Sequence, residues 1–149
     1  MRRDPCLVPL SHQHHNALAL CVLTSRSLAE DDGAENLDRL ARRIVDRFEI
    51  ELANHLALEE EVLFPLLRNA GLEAAVAGLV AEHDRIESLV NTLRHEPTAR
   101  GLQEFTTLLR GHVRREENEV FEEAQKRLPR EVLDALGAEL DARVARVCL

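Results

Sequence analysis

One phrase occurs twice in this chain: His55-Leu56-Ala57-Leu58-Glu59-Glu60-Glu61-Val62-Leu63-Phe64 and His112-Val113-Arg114-Arg115-Glu116-Glu117-Asn118-Glu119-Val120-Phe121. In both copies a His is followed by a Glu at the fourth residue and a Phe at the ninth. Residues four apart share one face of an α-helix, about 6 Å apart along the axis, so each copy aims an imidazole and a carboxylate into one space. That is the geometry of half a metal site.

Two further segments complete the pattern. His14 lies in Leu10-Ser11-His12-Gln13-His14-His15 and His83 in Leu79-Val80-Ala81-Glu82-His83-Asp84-Arg85-Ile86, each with a Leu four residues earlier. The order His, His-Glu, His, His-Glu predicts two helical hairpins facing each other around one polar centre.

The apolar periodicity supports this. Stripes with alternating steps of three and four are Leu10, His14, Leu18, Cys21, Ser25, Leu28; then Leu37, Leu40, Ile44, Phe48, Leu52, His55, Glu59, Val62; then Leu72, Val76, Leu79, His83, Ile86, Val90, Leu93; then Leu102, Phe105, Leu109, His112, Glu116, Val120. A 3.6-residue period produces this spacing, and it predicts an all-α, pseudo-symmetric four-helix bundle. The first helix is expected to start at Ser11 as N-cap and to end before Asp31-Asp32-Gly33. The second starts near Asn36 and ends around Phe64-Pro65, with Asn69-Ala70-Gly71 as punctuation. Leu133, Leu136, Leu140, Val144 and Val147 mark an additional C-terminal helix, about 130–147, that covers the bundle or meets another subunit in a homodimer. The 149 residues are expected to form one domain, with its four-helix core at about 10–128.

The formal net charge of -8 argues against a nucleic-acid surface, which needs clustered Lys and Arg. Cys6, Cys21 and Cys148 are widely spaced with no CxxC, so neither a disulfide framework nor a cysteine zinc site is suggested. Nothing near Met1 resembles a signal peptide, and no apolar run approaches the ~20 residues of a membrane span, so a cytoplasmic protein without a membrane partner is expected.

Buried His and Glu are costly unless their polar atoms are satisfied, and several converging at one depth call for a cation. Imidazole with carboxylate and no thiolate suits iron first, then zinc, manganese or copper. With 19 Glu in the chain, about one His–Glu pair at this spacing is expected by accident among seven His; three occur, at His55-Glu59, His83-Glu87 and His112-Glu116. The constellation carries the signal, through the shared Phe and the placement of all four segments on apolar stripes.

These residues resemble the hemerythrin-like family, the HHE cation-binding domain, from about Leu10 to Phe121 and over the chain as a whole. The resemblance implies an up-down four-helix bundle with a non-haem di-iron centre and two bridging carboxylates. Its ligands would be His55 with Glu59, His112 with Glu116, and His14 and His83 alone. Oxygen-carrying relatives have a further His one turn after the third-helix ligand, where this chain has Glu87, and tend to have Asp where this chain has Glu116.

Other positions have divided readings. His14 and His15 compete for the first-helix site: Leu10 and Leu18 flank His14 on its stripe, whereas His15 places Leu18 and Val22 below it, and the other would support from outside. Glu87 could add a ligand or leave one iron more open. Glu60, Glu61, Glu117 and Glu119 are expected on a solvated face, their charge offset by Arg114 and Arg115. Leu18, Phe48, Leu52, Ile86, Leu109 and Val113 could line a dry pocket for a diatomic molecule. With neither Tyr nor Trp, tyrosyl-radical chemistry is excluded. The leading functional expectation is a di-iron protein binding oxygen or a related small ligand for carriage, sensing or iron handling. The alternatives are an enzyme that decomposes peroxide or reduces nitric oxide, and a structural bundle that takes zinc.

Overall fold

The computed structural model describes residues 2–147. After a 3₁₀ turn, Pro5–Leu7, these form five helices: α1, Val8–Glu30; α2, residues 34–69; α3, Glu73–His95; α4, residues 99–127; and α5, Arg130–Arg143. The first four make an up-down bundle, and α5 packs across one end of it against the 3₁₀ turn. Among the described residues no helix is long and apolar enough to cross a membrane.

The opening turn explains why α1 starts three residues before the expected Ser11. Pro5 and Pro9 occupy first-turn positions, where a missing N–H costs nothing and the fixed φ is already helical. The Asp4 carboxylate accepts from the Cys6 N–H at 3.0 Å and caps the 3₁₀ turn. Between α2 and α3, Gly71 adopts φ 89°, left-handed backbone that closes the helix end, and Leu72 N–H returns to Leu67 C=O at 3.0 Å. Thr98 caps α4 by accepting from Gly101 N–H at 3.0 Å.

α2 and α4 are not uniform helices. α2 widens into π turns at Phe48–Leu52 and Glu59–Leu63, and α4 at Glu116–Val120. α5 ends at Arg143, four residues short of the expected Val147. Val144 turns extended, at φ -68° and ψ 132°, because the backbone beyond it bonds to side chains of α1 and α2.

The buried side chains form two apolar layers. One gathers Leu10, Phe64, Leu67, Val76, Leu79, Phe121 and the inner face of α5, Leu133, Leu136 and Leu140. The other gathers Cys21, Leu40, Ile44, Ile86, Val90, Leu93, Phe105 and Leu109. Of the expected dry-pocket residues, Leu52, Ile86, Leu109 and Val113 are buried in this second layer, while Leu18 and Phe48 are half-buried at its edge. Cys6 and Cys21 are buried free thiols, and burial pushes them up to about 12 and about 11. Cys148 lies outside the described residues.

Candidate metal centre

Within the core, at one level of the bundle, α1 contributes His14, α2 His55 and Glu59, α3 His83, and α4 His112 and Glu116. Both carboxylates are 0 % exposed and the imidazoles 1–2 %. One ligand atom each from His14, His55, Glu59 and Glu116 lies within 4.8 Å of the others, and the same holds for Glu59, His83, His112 and Glu116. The imidazoles therefore form two pairs, His14/His55 and His83/His112, with ring centroids 4.5 and 4.9 Å apart.

The carboxylates cross between those pairs. Glu116 Oε1 lies 3.1 Å from His14 Nε2 and 3.0 Å from His112 Nε2, and Glu59 Oε1 lies 3.2 Å from both His55 Nε2 and His83 Nε2. Each Glu thus touches one imidazole of either pair, the placement a bridging carboxylate needs.

The π turns follow from the same sequence repeat. Phe64 N–H bonds back to Glu59 C=O and Phe121 N–H to Glu116 C=O, each spanning five residues. In a plain α-helix nine residues sweep about 900°, which would set each Phe half a turn away from its His. One residue absorbed by the wide turn brings the ring back to within about 80° of it. The buried line then runs through Leu63, Phe64 and Leu67, and Val62, expected on the stripe, is half-buried. The recovered rings are used across the bundle: Phe64 stacks on His83 at 5.4 Å between centroids and Phe121 on His14 at 5.3 Å.

Each outward-facing Nδ1 atom has a polar side chain near it, but only those of His55 and His112 make a hydrogen bond, while those of His83 and His14 have a carboxylate nearby without hydrogen-bond geometry. His55 Nδ1 lies 2.9 Å from Gln13 Oε1, His112 Nδ1 3.2 Å from Glu82 Oε1, His83 Nδ1 3.3 Å from Glu60 Oε2, and His14 Nδ1 3.7 Å from Glu117 Oε1. Such partners orient an imidazole and turn its Nε2 lone pair toward a metal. Glu60 and Glu117, expected on a solvated face, instead lean inward. The residue after each core Glu backs the lone His of the neighbouring helix, and the residue before each lone His backs the other His. Gln13 and Glu82 carry this role without having stood out in the sequence, although each immediately precedes a core His.

His15 and Glu87 stand apart. Both are exposed and belong to neither cluster. One step past His14 turns the chain to the outer face of α1, and on α3 Ile86 and Val90 hold the buried line. Neither cluster gains a third His.

The electrostatics are those of a site prepared for cations. Burial pushes His14, His83 and His112 down, but the facing carboxylates more than offset it, raising His14 to about 9 and His112 to about 10 and lifting His83 as well. For Glu59 burial acts upward, yet the charge on His55 and the close approach of Glu116, His112 and His55 hold it well below the usual carboxylate range. Even so, Nε2 of His55, His83 and His112, both oxygens of Glu59 and Oε2 of Glu116 are buried without a hydrogen-bond partner. So many orphaned donors at one level are destabilising unless a cation fills the space, and this donor set fits one.

A bundle of four helices with two buried His/His/Glu/Glu clusters has the arrangement of a hemerythrin di-iron site. The family model for the hemerythrin HHE cation-binding domain matches residues 8–124, and the chain belongs to that family. No curated protein and no solved structure matched the chain.

Proposed function

We propose that the chain holds two non-haem iron ions, one between His14 and His55 and the other between His83 and His112, with Glu59 and Glu116 shared between them. Through the iron it binds oxygen or a related small ligand for carriage, sensing or iron handling. The carrying observation is the crossing of the two carboxylates between the two imidazole pairs, with Nε2 and Oε atoms left buried and unpartnered. Iron at these positions would supply reversible electron exchange with a small ligand.

The protein's own residues do the rest. Nδ1 hydrogen bonds fix the rings of His55 and His112, stacking by Phe64 and Phe121 fixes those of His83 and His14, and the apolar layers above and below limit water. We take residues 1–149 as one unit of this kind, working in the cytoplasm, where the buried thiols of Cys6 and Cys21 would stay reduced. A second reading, peroxide decomposition or nitric oxide reduction, is favoured by the absence of a third His from either cluster, which leaves both ions room for outside ligands.

Reconstitution with ferrous iron under nitrogen, followed by oxygen, tests the proposal. A visible band that develops with oxygen and fades under vacuum supports binding, whereas irreversible bleaching with peroxide turnover supports the enzyme. Uptake of zinc but no iron would overturn both.

A further inference from the structure

The side chains that stand behind the four imidazoles match between the two halves of the centre except at one place. Behind His112 stands Glu82, which also pairs with the Arg115 guanidinium. Behind His55 the corresponding position is Gln13, an amide. An amide can donate as well as accept, and Gln13 uses both ends: Oε1 faces His55 Nδ1, while Nε2 donates to Asn54 Oδ1 at 3.0 Å and to Ala145 C=O at 3.3 Å. Asn54 is held in turn by the tail, donating from Nδ2 to Arg143 C=O at 3.0 Å and accepting from Ala145 N–H at 2.8 Å.

The backbone of residues 143–145 removes any ambiguity in this chain. A carbonyl can only accept and an N–H can only donate, so Arg143 and Ala145 dictate which way the Asn54 amide lies, and Ala145 C=O with Asn54 Oδ1 dictate the Gln13 amide. Gln13 can then offer only an oxygen to His55. Nδ1 must carry the hydrogen, and Nε2 is left with its lone pair free toward the His14/His55 cluster.

We propose that Gln13 and Asn54 are positioning residues that relay the hydrogen-bonding pattern of the C-terminal tail to His55, so that docking of residues 143–145 and filling of the His14/His55 cluster are one coupled equilibrium. The inference rests on the two-metal reading above and goes beyond it, because the tail lies outside the residues matched by the family model. Coupling of this kind is reciprocal: a docked tail tightens metal binding, and bound metal tightens the tail.

The experiment is a zinc titration of the whole protein, of Asn54→Ala and of a chain ending at Arg143, each also in a Gln13→Glu background. Alongside it, hydrogen exchange at the Ala145 amide is followed with and without zinc. Asn54→Ala and the shortened chain are expected to weaken one of the two bound ions about tenfold and leave the other unchanged, the usual cost of losing a supporting partner. Glu at position 13 still accepts from His55 but has no donor for Ala145 C=O, so in that background the tail changes should no longer alter affinity. Zinc should slow exchange of the Ala145 amide in the wild type and not in Gln13→Glu. Two ions bound with unchanged affinity in Asn54→Ala and the shortened chain, or an equal loss in the Gln13→Glu background, would overturn the relay while leaving the metal centre standing. A wild type that takes up no metal would overturn both.

Discussion

Phe121 lies nearly parallel to the imidazole of His14, ring centroids 5.3 Å apart and planes 17° from parallel, so a ring from α4 sets the orientation of a donor on α1. Phe64 of α2 does the same for His83 of α3, at 26°. Each His-Glu helix thus supplies its neighbour's lone His with a stacking partner. Both Phe side chains are fully buried. Phe121→Ala should therefore cost about 3–5 kcal/mol of stability through the cavity it leaves. Phe121→Leu should cost far less yet still loosen His14. Zinc titration and chemical denaturation of the two variants separate these effects: lower affinity in the Leu variant, at nearly wild-type stability, is the expected outcome.

The regular helices were the legible part of the sequence. On α3, Val76, Leu79, His83, Ile86, Val90 and Leu93 are all buried as the 3.6-residue period requires. α2 departs from the period because of its π turns, which a rule built on constant rotation cannot place. A trace was present nonetheless: Phe at the ninth residue after His is out of phase with a plain helix, and its recurrence after both His-Glu pairs is the mark of a widened turn. The partners behind the imidazoles were hidden for another reason. Gln13 is adjacent in sequence to His14 but serves His55, a pairing set by how α1 lies on α2. The tail bonds to Asn54 likewise arise only when α5 is docked.

Loss of either shared carboxylate should be felt by both ions. Because Glu59 and Glu116 each lie between the two imidazole pairs, Glu59→Ala or Glu116→Ala should abolish nearly all paired-metal binding instead of halving it. Glu61→Ala, Glu87→Ala and His15→Ala, all at exposed positions, should retain two ions per chain. Metal analysis of the purified variants after iron loading gives the stoichiometry directly. Loss of a single ion in Glu59→Ala would contradict the bridging assignment.

The centre should also make stability depend on pH differently with and without metal. An imidazole with a raised folded pKa adds stability that is fully present below its unfolded value near 6.5 and is lost as pH rises through the folded value, about 9 for His14 and about 10 for His112. Glu59 works in the other direction: its contribution is present above about 4.5 and is lost as pH falls through its lower folded value. The metal-free protein should therefore be most stable between about pH 4.5 and 6.5, with Tm declining from pH 7 to 10. Metal must displace those protons to bind, so zinc affinity should keep rising with pH well past 7. Thermal unfolding of chelator-treated and zinc-loaded protein across this range checks both signs. A metal-free Tm that rises toward pH 10 would contradict them.

At Gly137 α5 lies close against the opening turn. A Cβ built there would lie 2.9 Å from Cys6 Cβ and 3.1 Å from Cys6 Cα, and neither atom is the end of a flexible side chain that could swing aside. Gly137→Ala must therefore move α5 or the 3₁₀ turn as a body. Leu133, Leu136 and Leu140 are buried in the same interface, so that movement opens apolar contacts, and a cost of about 1–3 kcal/mol is expected despite Ala's better helix propensity. Denaturant unfolding at fixed pH measures it. Stabilisation by Gly137→Ala would show that α5 has slack against the turn and that its seat is not set by this contact.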